Sequence, residues 1–303
     1  MEHGALSLKA TGRGRRRLLV NRLAEGSAVF AALLAILVLA IVIWSVGSCG
    51  AGAINLDFFL KGPSSDFFGG GGGIAPALAG TLLLVGVATL IALPTGVLTA
   101  IFVSEFAPVR AGQQIRLWLD VLNGFPSIVI GIFVFTLAVK TKVPVLGIGH
   151  HQSAIAGGFA LAVIMLPLVS RSTIEVLRLV PNHLREASYA LGVSKWQTVL
   201  RVVLPTSFGG ILTGTTLAVA RAAGETAPLL FTCAIAGQIV DWNPTHSVQS
   251  IPLTIYLDSE SADPALHQQA WAAAFVLILF VLVTSLTARL LLERSRKKLG
   301  LQR

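Results

Sequence analysis

The chain has 303 residues, 54% hydrophobic and only 12% charged, with a mean hydropathy of +0.79. A soluble domain carries about 25% charged residues, so this chain cannot cover a water-facing surface and its main solvent is lipid. The net charge of +9 raises nucleic acid as a partner, but the basic residues flank apolar stretches instead of forming a patch, which excludes it.

A spanning helix needs about 20 mostly apolar residues, and six stretches meet that length, so the expected fold is an all-α polytopic transmembrane bundle. Residues 1–26 form a basic tail with Lys9, Arg13, Arg15, Arg16, Arg17 and Arg22. The first span runs from Ser27 to Val46, within a segment 27–49. A basic stretch before an apolar run also resembles a secretory signal, and Val46-Gly47-Ser48-Cys49 resembles a lipoprotein cleavage box. The run exceeds the usual 7–15 residues of a signal, which favours a retained helix. Gly69 to Gly73 reads as a flexible lead-in to the second span, not as a phosphate-cradling loop, because no Gly-Lys-Ser/Thr follows. The second span runs from Leu78 to Val103, the third from Val121 to Val139 and the fourth from Ala154 to Val169. Pro126, Gly131, Gly157 and Gly158 interrupt the third and fourth. The fifth covers Phe208 to Ala236 and the sixth Ala270 to Leu292.

Orientation follows from the arginines and lysines. Arg110 and Arg116 lie between spans two and three, Arg171, Arg178, Arg185, Lys195 and Arg201 after span four, and Arg294, Arg296, Lys297, Lys298 and Arg303 after span six. The opposite loops hold Lys61, Lys140 and Lys142, and the loop Asp241 to Gln269 has neither lysine nor arginine. Both termini, including the tail 295–303, are therefore expected in the cytoplasm.

The inward loop 171–205 carries apolar Leu184, Ala187, Ala190 and Leu191 at helical spacing. Gly192 suits the residue after a helix end, and a second short helix from Lys195 is expected to stop at Leu204-Pro205. Two readings fit this periodicity, an amphipathic pair lying on the lipid surface or a helix docking on a partner. In span five, Arg221 and Glu225 stand four residues apart, on one helix face. At about 1.5 Å per residue Arg221 lies roughly 20 Å along from Phe208. Charged groups at that depth mark a substrate path or a structural ion pair, and the arginine fork suits an oxyanion. His150-His151 form a pair in an outer loop, while His183, His246 and His267 stand isolated; neither they nor Cys49 and Cys233 suggest a metal site.

Glu186-Ala187-Ser188, Gly192, Val202 and Leu204-Pro205 resemble the EAA loop of ATP-binding-cassette (ABC) importer permeases, with Ser188 in place of the second alanine. The resemblance implies a coupling helix that docks on a separate ATPase through Arg185, Glu186, Ala187, Ser188, Leu191 and Gly192. Arg221-Ala222-Ala223-Gly224-Glu225-Thr226-Ala227-Pro228 is similar to the signature of phosphate-transport permeases of the PstA type, as are Gly124-Phe125-Pro126-Ser127-Ile128-Val129 and Gly73-Ile74 through Gly80-Thr81. This similarity covers 69–294 and implies a permease domain with Arg221, Glu225, Thr226 and Ser127 on the translocation path. It further implies a heterodimer with a sister permease, two copies of an ATPase and an external phosphate-binding protein in a bacterial inner membrane. This chain would bind no cofactor and hydrolyse nothing, ATP and magnesium belonging to the ATPase. The break at Gly124–Ser127 offers free backbone N–H groups to an anion or simply kinks the helix for packing. A permease for another oxyanion or small solute is the nearest alternative, and a proton-coupled secondary transporter a more distant one.

Overall fold

The computed structural model describes residues 13–63, 72–137, 152–233 and 239–298. Among the described residues every regular element is helical: α1 (Arg13–Gly50), α2 (Leu56–Leu60), α3 (Ala75–Ile101), α4 (Val109–Gly124), α5 (Ser127–Phe135) and α6 (Ala154–Arg178) come first. Then follow α7 (Asn182–Ala190), α8 (Lys195–Thr198), α9 (Leu204–Ala223), α10 (Leu229–Thr232), α11 (Ile251–Ser259) and α12 (Pro264–Lys298). Five helical runs are long and apolar enough to cross a membrane, and a sixth if the bent pair α4–α5 counts as one span. The all-helical bundle expected from composition is therefore present.

The segment up to Cys49 forms a unit by itself, and the chain from Gly50 onward forms a second. From Ser27 to Val46 helix α1 is apolar on every face, as a membrane-spanning helix is.

In the second unit α3 and α6 form the central pair, and small residues set their separation. Ala88, Ala92 and Ala162 are buried at the contact with Leu161, Met165 and Val169. A Cβ built on Gly96 would lie 2.9 Å from a Val169 methyl. One on Gly158 would lie 2.7 Å from Val87 Cβ. Gly157 and Gly158 thus do not interrupt span four. They let α6 press on α3, and the helix runs unbroken past Val169 to Arg178.

Span three departs from expectation. Helix α4 begins at Val109, so Arg110 and Arg116 lie on a helix and not in a loop. The chain then turns by 94° between α4 and α5. Pro126 has no N–H to continue the ladder and forces Phe125 into an extended conformation (ψ 135°). Span five also departs. Pro205 does not end the helix begun at Lys195, since Lys195–Ala223 is one continuous run. A π turn at Val199–Val203, in which Leu204 N–H reaches Val199 C=O, widens the backbone just before the proline and makes room for its ring. The run then stops at Ala223, four residues short of Ala227-Pro228, and a short helix restarts at Leu229. Gly131 on α5 receives the backbone of Pro228, so the two helix breaks lie side by side.

At the end of α3 away from α7, Thr81 Oγ1 accepts the Ile251 N–H of α11 at 2.9 Å, and Gly80 packs on the backbone of Gln249. Residues 69–71 of the expected flexible lead-in lie outside the described residues. Gly73 itself is held tightly: its N–H donates to Gly62 C=O at 2.8 Å, and its carbonyl accepts from Gln269 Nε2 at 3.4 Å. The histidine pair His150-His151 and Lys140 and Lys142 also fall outside the described residues. Cys49 and Cys233 are both free thiols.

Two measurements test this packing. A methyl on Gly131 would sit 2.6 Å from Pro228 Cα, so Gly131→Ala is expected to destabilise the protein by about 1–3 kcal/mol. Gly86→Ala, with nothing within 4 Å, should be neutral or gain up to about 1 kcal/mol; thermal midpoints in detergent separate the two. On α11, burial raises the Asp258 carboxyl from 3.8 to about 6. The folded state therefore holds that proton more tightly than the unfolded chain. Its contribution is fully present below 3.8 and is lost as pH rises through about 6. The thermal midpoint of the intact protein should fall across that interval relative to Asp258→Asn, and parallel curves would refute the assignment.

Candidate functional site

The first cluster forms where α9 stops. Pro228 cannot donate to a helical carbonyl, and Gly224 carries no side chain to favour continuing the helix, so the ladder ends at Ala223. Gly224 and Glu225 send their N–H groups back to the carbonyls of Arg221 and Ala222 at 3.1 and 3.2 Å. Arg221 therefore occupies the last turn of α9, where a cation complements the helix dipole. Glu225 lies beyond the helix, not on a shared helical face as the spacing predicts, yet it still meets the arginine: Nε to Oε1 is 3.5 Å.

The contact is at the edge of hydrogen-bonding range and engages one of five donors. The Arg221 side chain is 49% exposed, whereas that of Glu225 is 17% exposed. The carboxylate is thus tucked into the turn while the guanidinium fork stays open. Thr226 is half-buried, and its carbonyl starts α10 by accepting from Leu229 and Leu230 at 3.1 and 3.3 Å. Ser127 is the first residue of α5, half-buried, with Pro126 as N-cap. Because Gly131 touches Pro228, the Ser127 and Glu225–Thr226 segments belong to neighbouring breaks.

The second cluster is the helix–turn–helix α7–α8. Pro181 opens α7, and Gly192 closes it with φ +76°. The N–H groups of Gly192 and Val193 reach the carbonyls of Tyr189 and Ser188 at 2.9 and 3.2 Å, a Schellman closure. Ser194 and Gln197 form a capping box that starts α8. The two limbs are joined by a hydrogen bond between the Ser188 and Thr198 hydroxyls at 2.9 Å.

The six coupling candidates divide by direction. Glu186, Ala187, Leu191 and Gly192 are exposed, together with Tyr189 and Trp196. Leu191 is 84% exposed, an apolar side chain presented at the apex of the turn. Ser188 is buried against Thr198, and Arg185 turns inward to Glu105 at 2.8 Å. Sequence reasoning missed Glu105, although a single carboxylate in Phe102-Val103-Ser104-Glu105-Phe106 at the end of an apolar span was visible. It also missed the pair Arg171–Asp120 at 2.5 Å, which ties α6 to α4.

His246, expected to be isolated, is not: its Nδ1 lies 2.6 Å from Asp241 and its Nε2 3.2 Å from Asn243. The Asn243 backbone N–H and then His246 hold the Asp241 carboxyl below its usual range. This turn positions the His246 and Pro244 carbonyls, which accept the Ala154 and Ile155 N–H groups at the start of α6.

Comparison with known proteins identifies the architecture. The family model for the binding-protein-dependent transport system inner membrane component matches residues 92–297. The phosphate transport system permease protein PstA of Haemophilus influenzae is 37% identical over 277 residues, covering 91% of this chain and 95% of that protein. PstA 1 of Mycobacterium tuberculosis is 42% identical over 221 residues, covering 73% of this chain and 70% of that protein. Among solved structures, a bacterial alginate ABC transporter in complex with an alginate pentasaccharide-bound periplasmic protein aligns with TM-score 0.62 at 15% identity, over 91% of this chain and 96% of that one. An inward-facing MetNI methionine ABC transporter aligns with TM-score 0.56 at 17% identity, over 73% of this chain and 94% of that one. These two share the fold. This chain belongs to the binding-protein-dependent inner membrane transport components, and within them to the PstA-type permeases.

Proposed function

We propose that this chain forms half of a transmembrane phosphate pathway and is driven by a separate ATPase that docks on α7–α8. The observation that carries the reading is Arg221, an open guanidinium held at a helix break inside a membrane bundle. A charge in that position costs about 2.5–3.5 kcal/mol on insertion scales, so its presence marks a pathway. Its planar fork matches two oxygens of a phosphate. Glu225 holds the arginine by Nε alone, leaving the terminal nitrogens for the anion. Ser127 and Thr226, in the two adjoining breaks, supply hydroxyls and backbone groups to the same path. The substrate class rests on relatives named as phosphate transport permeases that match nearly end to end.

The remaining assembly follows from the same reading. The ATPase, present in two copies, binds ATP and magnesium, and this chain binds neither. A sister permease supplies the other half of the path, and an external phosphate-binding protein delivers the anion. The α7–α8 end, with its flanking arginines and lysines, faces the cytoplasm of the bacterial inner membrane, as do both termini. Exposed Glu186, Ala187 and Leu191 form the ATPase contact, and Gly192 supplies the turn that presents them.

Radiolabelled phosphate uptake by proteoliposomes containing all partner subunits tests both roles. Arg221→Gln, which keeps a polar side chain with an N–H donor but removes the charge, should lower ATP-dependent uptake at least tenfold, a loss of about 1.4 kcal/mol or more in pathway affinity, with assembly intact. Unchanged uptake would make the arginine a packing residue. Glu186→Lys should lower uptake together with ATPase co-purification, because its side chain is exposed. Full binding of the ATPase to that variant would remove Glu186 from the contact.

A further inference from the structure

The coupling loop must pass its displacement to the spans, and covalent continuity gives it two routes, back into α6 and on into α9. Side-chain geometry supplies a third. The Arg185 side chain is 15% exposed and that of Glu105 6% exposed, and they meet at 2.8 Å. Arg185 also donates to Val180 C=O at 2.7 Å and to Leu177 C=O at 2.9 Å. One guanidinium therefore binds three elements: α7, the end of α6 and the π turn Phe102–Phe106 that closes α3. That turn holds the other limb as well, since Lys195 Nζ lies 5.3 Å from the centre of the Phe106 ring. The Ser188–Thr198 hydrogen bond locks the two limbs together.

The opposite end of α3 is equally committed. Thr81 Oγ1 accepts the first N–H of α11, and Gly80 lies against the Gln249 backbone. From Thr81 to Glu105 is about 36 Å of helix at 1.5 Å per residue. We propose that Arg185 and Glu105 couple α7–α8 to α3, making α3 the shaft that carries displacement of the ATPase contact to the α11 end. Arg185 is in this account a positioning residue and not part of the ATPase contact. A buried, charge-assisted bridge suits the task, because it resists being pulled apart while a surface pair in water would yield. The inference rests on the permease reading above and deepens it.

The test compares intact complex with Glu105→Gln and Glu105→Ala in proteoliposomes with ATPase, sister permease and binding protein. It measures co-purification of the ATPase, ATP hydrolysis and phosphate imported per ATP. Glu105→Gln keeps an acceptor oxygen and removes the charge, so it guards against simple misfolding by the alanine variant. The expected result is normal assembly, hydrolysis within about twofold of intact and import per ATP lowered at least about fivefold, the lower bound of an ordinary coupling between sites, with alanine lower than glutamine. An unchanged ratio overturns the proposal. So does a parallel fall in assembly, hydrolysis and uptake, which would mean that the bridge only shapes the docking surface. If the intact complex imports a different solute instead of phosphate, the substrate reading falls alone, and the ratio for that solute decides the inference in the same way.

Discussion

Backbone N–H and C=O groups have no water to turn to in hydrocarbon, and each one left open costs several kcal/mol. Among the described residues this chain nevertheless breaks helices inside the bundle at Phe125–Pro126 and between Gly224 and Pro228. Local turns take up freed groups at both breaks: Phe125 N–H returns to Leu122 C=O, and the Gly224 and Glu225 N–H groups return to the carbonyls of Arg221 and Ala222, while the short helix after the second break is fastened by other elements. The Phe231 and Thr232 carbonyls at the end of α10 accept from Gln152 Nε2 at 3.2 Å and Ser153 N–H at 3.1 Å. The start of α6 is closed in turn by the carbonyls of His246 and Pro244 and by the Ser153 hydroxyl. The short helix that follows the Arg221 break is thus tied, through the start of α6, to a loop shaped by Asp241 and His246.

The α3–α6 pair provides the fixed frame for these breaks. Its contact uses glycine and alanine where other bundles use leucine, so the backbones approach closely and gain dispersion contacts that lipid cannot replace. Close approach also leaves little slack. Gly96 against Val169 and Gly158 against Val87 leave no room for a larger side chain at either point. So close a contact fixes the spacing of the two helices at the centre of the second unit.

Much of this was legible from residue order. Span number, the central helices and the two motif clusters follow from apolar run length and from glycine and proline placement. Within the spans the failures concern where a helix stops or continues. Pro126 and Pro205 carry the same local signal, yet one bends the chain by 94° and the other sits inside a continuous run. The difference lies in what precedes them: a π turn opens space before Pro205, while Phe125 is driven into an extended conformation. Residue spacing contains no term for such a turn. Glu225 illustrates the same limit, since four-residue spacing predicts a helical neighbour and the pair survives only because the turn after Ala223 curls back.

Motif membership likewise does not determine direction. Arg185 and Glu186 are adjacent, and resemblance assigns both to the ATPase contact, but successive helix residues differ by about 100° in facing. Glu186 faces outward, whereas Arg185 is spent on Glu105 and two carbonyls. Ser188, three residues on from Arg185, returns to the inner face and bonds Thr198. The loop therefore contains two interleaved residue sets, one exposed and one fastened to the bundle. On the proposed coupling role, an apolar anchor such as Leu191 transmits force only if the inward set holds, which would make the buried half of the motif as much a part of coupling as the exposed half.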